Sequence, residues 1–65
     1  MTIEDVKKKV KRIEELKCDP EAAHSLEDEL YEAVLREIVV GNDSSDFLAE
    51  EALKTKDIKF DRWCA

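Results

Sequence analysis

The sequence is poor in the residues that build many kinds of functional site: one glycine, one proline and one histidine in 65 residues, with aromatics at 6%. A single glycine excludes phosphate-cradling loops and dinucleotide-binding turns, which need several glycines at close spacing. Two cysteines are too few for a disulfide scaffold, and Cys18 and Cys64 read as free thiols in a reducing, cytoplasmic setting. No uncharged apolar run approaches the ~18 residues that a membrane span needs. The opening stretch MTIEDVKKKVKRIEELK has no apolar segment that could serve as a secretory signal.

What the chain does have is 43% apolar and 43% charged residues, the composition of amphipathic helices. A chain this short buries only ~60% of the surface it exposes when unfolded, so one domain over residues 1–65 is expected, with no room for a large catalytic cleft. Enzymatic activity is not expected. The net charge of −6 is unevenly spread: residues 1–18 carry six basic and four acidic side chains, residues 19–51 carry Arg36 against eleven acids, and residues 52–65 carry four basic against two acidic. The acidic middle repels nucleic-acid phosphates and suits either a basic partner or a solvated face kept charged for solubility.

Thr2 and Asp5 have the spacing of a helix-starting capping pattern. Ile3, Val6, Val10, Ile13 and Leu16 follow at intervals of three and four, predicting a first helix of about fifteen residues that ends at KCDP. Asp19 as N-cap and Pro20 at the first helical position start the second helix. Ala23, Leu26, Leu30, Ala33, Val34 and Ile38 form its main apolar stripe, and Tyr31, Leu35 and Val39 widen it so that the helix can meet more than one neighbour. Gly41-Asn42 ends it. A third helix of two to three turns is predicted from FLAEEALKTK, with Leu48, Ala52 and Phe47 as inward positions. The fold class expected is all-α, a three-helix antiparallel bundle.

In TKDIKFDRW the periodicity changes, predicting an extended or single-turn tail. The bundle is poor in aromatics, so the tail is expected to fold back across it with Ile58, Phe60 and Trp63 as anchors; a mobile tail presenting Trp63 to a partner is the competing arrangement.

Chemistry-bearing groupings are sparse. Glu21 and His24 have the Glu-x-x-His spacing of di-iron bundles, but a second such helix is missing. Cys18, His24 and Cys64 could contribute to a zinc or redox site, alone or across a homodimer, yet neither cysteine has a Cys-x-x-Cys neighbour. Asp28 lies one turn beyond His24, within hydrogen-bonding reach. No cofactor or metal is expected. Lys7, Lys8, Lys11 and Arg12 make a basic patch without interleaved aromatics, which argues against nucleic-acid binding. The acidic face of the second helix, with Glu27, Asp28, Glu29 and Glu32, is the expected surface for a protein partner, one case being a mimic of nucleic-acid charge.

The stretches DPEAAHSLEDELYEAVLREI and LKTKDIKFDRWCA together resemble a group of small helical proteins of actinobacteria and their bacteriophages. The resemblance covers residues 19–40 and 53–65 and implies a cytoplasmic, phage-encoded origin. It brings no activity with it. Composition and resemblance together suggest a small interaction module modulating a host protein; a metal or redox protein centred on His24 is the alternative.

Overall fold

The computed structural model describes residues 1–62. Three α-helices follow one another, α1 (Ile3–Glu15), α2 (Pro20–Val39) and α3 (Ser45–Ala52), and α3 tightens into a 3-10 helix over Leu53–Asp57. Each helix packs against the other two, an all-α three-helix bundle. No helix among the described residues is long and apolar enough to cross a membrane.

The start of α1 is the capping pattern read in the sequence: the Thr2 N–H donates to Asp5 at 2.9 Å and the Thr2 hydroxyl accepts from the Asp5 N–H at 3.2 Å. Those bonds hold the Asp5 carboxyl below the usual carboxylate range. Val6 and Ile13 are fully buried, with Ile3, Val10 and Leu16 packed around them. Asp19 caps α2 by accepting from the Ala22 N–H, and Ala23, Leu30 and Val34 carry its buried face. The exit of α2 is a Schellman turn, in which the Gly41 N–H reaches the Ile38 carbonyl and the Asn42 N–H the Glu37 carbonyl. Gly41 takes φ of 82° there, a conformation that side chains with a Cβ resist. Asn42 then bonds both ways, accepting from the Ser44 N–H and donating to Glu37. Glu37 also receives the α-amino group of Met1 at 3.1 Å. Hydrogen bonds from Asn42 and Met1 keep its carboxyl below the usual range and tie the start of α1 to the end of α2.

At 20 residues, α2 is about 30 Å long and sets the 34 Å length of the molecule. The eight residues of α3 cover less than half of it, beside Val34 and Ile38. The 3-10 helix packs on α3 and α1, and it and the segment after it reach α2 through Tyr31 and Glu27. Ala52, Thr55 and Ile58 are all buried, at intervals of three. That interval matches three residues per turn and would drift round an α-helix by about 60° per step, so the tighter helix is what keeps all three inside. Ile58 joins the core and Phe60 packs against it. Trp63, the third expected anchor, lies outside the described residues, as does Cys64.

Two inward assignments from the sequence are corrected. Phe47 is 59% exposed: it stands about 100° round α3 from the buried Leu48, so both cannot face the core. Ile38 is 50% exposed, because α3 meets α2 on only one side of that position.

Replacing Gly41 with Ala should lower stability by about 1 kcal/mol, since the added Cβ meets no neighbouring atom and the cost is conformational. Gly41→Asn should cost less. Urea unfolding measures both, and equal stability of all three proteins would contradict the turn assignment.

Candidate functional site

Of the four acidic residues expected to meet a partner, one is not on the surface. Glu27 is 2% exposed. It lies on the same face of α2 as Ala23, Leu30 and Val34, which the spacing of three and four allows and its acidity disguised. Its carboxylate receives two bonds from Arg62, Nε to Oε1 at 3.0 Å and Nη2 to Oε2 at 3.1 Å. Burial pushes the Glu27 carboxyl up, but hydrogen bonds from Arg62 and Thr55, with the positive charges of Arg62 and Lys56, together bring it below its ordinary value. In return Glu27 raises the Arg62 guanidinium.

Arg62 also donates to backbone: Nη2 to the carbonyls of Thr55 and Ile58 at 2.8 and 3.2 Å, and Nη1 to that of Phe60 at 3.4 Å. Its guanidinium lies 4.0 Å from the centre of the Phe60 ring. One side chain thereby fastens the 3-10 helix and the extended segment to the middle of α2. The Thr55 hydroxyl shares a hydrogen bond with the Tyr31 phenol and lies where it helps to lower the Glu27 carboxyl. Tyr31, Thr55, Glu27 and Arg62 thus form one polar cluster, buried at Glu27 and Thr55 and half-buried at its two ends. Composition could not reveal it, because the partners are 35 residues apart.

The other three acidic candidates are exposed. Asp28 lies 3.5 Å from His24 Nε2 and Glu32 pairs with Arg36. Glu29 turns toward α1, beside Lys9 and Arg12. His24 Nδ1 is buried with no hydrogen-bond partner among the described residues. Cys18 is exposed, and no group of three or more potential ligands among the described residues is placed to hold a metal ion. Glu21 and His24 are therefore not brought together with further donors.

The feature that the sequence reading underrated is an apolar groove between α2 and α3. Tyr31, Val34, Leu35 and Ile38 form one wall and Ala49, Ala52 and Leu53 the other, around about 500 Å³ of open space. Leu35 is 62% exposed and Leu53 58%, and Val39, one turn beyond Leu35, is more exposed still. The two alanines give the groove its depth. Lone exposed leucines are ordinary; here they line one continuous apolar trough. The signal was present as the width of the α2 stripe, which exceeds what α1 and the short α3 can cover.

No protein-family model matches the chain, and no curated protein or solved structure matches it either.

Replacing Arg62 with Met should lower stability by ~3 kcal/mol in urea at pH 7, because a buried carboxylate loses both bonds from its nearer cation and keeps only Lys56 at 3.9 Å; combining it with Glu27→Leu should recover most of the loss. The pH dependence should differ between proteins. In the parent, the Glu27 carboxyl is held below its ordinary value, so its contribution is complete at neutral pH and is lost as pH falls through the lowered value. In Arg62→Met the bonds and charge that do most to lower the carboxyl are gone while its burial remains, so less stability should be lost on acidification and the deficit should narrow as pH falls. Parallel stability profiles would show that the pair does not act this way.

Proposed function

We propose that this chain is a non-enzymatic protein-interaction module that receives a partner in the α2–α3 groove. The carrying observation is the groove itself: apolar walls from Tyr31 to Leu53, open to solvent along two turns of α2. A 65-residue domain has little apolar surface to spare for its core, yet this one leaves Leu35, Ile38, Val39 and Leu53 half or more exposed. Of the acidic residues anticipated as the contact surface, Asp28 lies outward of that groove, whereas Glu29 and Glu32 stand on another side of α2. Glu27 serves the fold. The resemblance to small proteins of actinobacteria and their phages supports a cytoplasmic setting in which such a module modulates a host protein. The alternative of a metal or redox centre on His24 with Cys18 or Cys64 is favoured by no observation among the described residues.

Affinity capture from an actinobacterial lysate, with the captured proteins identified by mass spectrometry, tests this reading. One stoichiometric protein should be retained by the parent and by a Glu14→Gln control, and lost by Leu35→Gln/Leu53→Gln. The paired change should leave the melting temperature nearly unaltered, since both side chains are largely exposed. Capture that ignores the groove substitutions would sink the proposal.

A further inference from the structure

The groove has a shape and a charge that together specify what fits it. Resting on the docking role just proposed, we infer that its occupant is an amphipathic helix from another protein, with an apolar stripe flanked by lysine or arginine.

The shape comes first. On α2, Tyr31, Leu35 and Ile38 follow at intervals of four and three, and Ala49 on α3 and Leu53 at the start of the 3-10 helix stand about one turn apart. Two helices presenting apolar positions at those intervals offer the holes into which a third helix sets its own side chains. The wall from Tyr31 to Ile38 is about 10 Å long, two helical turns. Because α1 occupies one side of the α2–α3 pair and the groove lies on another, an added helix would complete a four-helix bundle.

The charge decides the partner. Outward from the α2 wall stands Asp28, and outward from Ala49 and Leu53 stand Asp46 and Glu50, all exposed. The cations nearby are Arg36, engaged by Glu32, Lys54, engaged by Glu51, and Lys56, over the Tyr31 ring and 3.9 Å from Glu27. Among the described residues, Asp28, Asp46 and Glu50 are exposed and pair with no lysine or arginine, Asp28 meeting only His24. A basic flank on the incoming helix meets these carboxylates, whereas an acidic flank is repelled.

The same charge argues against a second copy as the occupant. Each chain carries −6, and pairing groove to groove would set one acidic margin on the other. The chain's own basic amphipathic helix, α1, has its apolar face already buried through Val6 and Ile13, so it is not free to enter a neighbour's groove.

The test uses two synthetic helical peptides of about 15 residues with the same leucine stripe, one flanked by Lys and one by Glu. Calorimetric titration at low and moderate salt is combined with backbone amide NMR of the full chain. The Lys-flanked peptide should bind one to one, shift the amides of Tyr31, Leu35, Ile38 and Leu53, and bind at least ~tenfold tighter than its Glu-flanked counterpart, with the preference shrinking as salt rises. Asp46→Asn/Glu50→Gln should remove most of the preference and leave residual groove binding. Equal binding of the two peptides at the groove would overturn the charged-partner inference while leaving the docking role intact. Shifts confined to the solvent side of α2 at Glu29 and Glu32, or no binding by either peptide, would also overturn it, and the docking role would then rest on the capture experiment. A dimer in sedimentation equilibrium that Leu35→Gln/Leu53→Gln dissociates would assign the groove to a second copy instead.

Discussion

A single guanidinium ties the stretch from Thr55 to Arg62 to the middle of α2. Helix α3 packs on both other helices, but the 3-10 helix after it packs on α3 and α1 and reaches α2 chiefly through polar contacts. Arg62 joins three backbone carbonyls of that stretch to the Glu27 carboxylate on α2. A carboxylate and a guanidinium withdrawn from water stabilise a fold only when their remaining polar atoms are satisfied. Here both are, by Thr55 and by the carbonyls. The pair therefore specifies where the segment lies more than it adds net stability, and Ile58 supplies the apolar burial that accompanies it.

How far the sequence could be read follows the range of the interactions involved. Capping at Thr2 and Asp19, the proline at the start of α2, and the glycine that ends it are local chemistry, and each appears at the residue where the pattern put it. The buried faces of α1 and α2 follow from periodicity. Glu27 defeated the same reasoning, because an acid in a run of acids reads as surface unless its distant partner is known. Phe47 defeated it for another reason: in an eight-residue helix too few turns exist for periodicity to choose between Phe47 and Leu48. The groove was legible only as excess. The α2 stripe is wider than two neighbours can bury, but its uncovered portion depends on where α3 stops.

Charge and shape divide the molecule between them. The basic side chains of α1 lie on the side away from the core, where Lys7 pairs with Glu4 and Arg12 with Glu15. The acids concentrate on α2 and α3, and around the groove they outnumber the cations left unpaired. An apolar trough of this kind on a neutral protein would invite indiscriminate association. Acidic margins around it discourage contact with other acidic proteins and with nucleic acid, narrowing what the trough can accept.

The three-residue rhythm of Ala52, Thr55 and Ile58 has a consequence for how this chain can vary. In most connections an added or lost residue is absorbed by a surface loop. Between Ala52 and Arg62 there is no such slack, since the hydroxyl of Thr55, the side chain of Ile58 and the guanidinium of Arg62 each have a fixed destination. A one-residue insertion there would turn every later side chain out of register at once. The length of this segment is thus as much a part of the fold's specification as its composition.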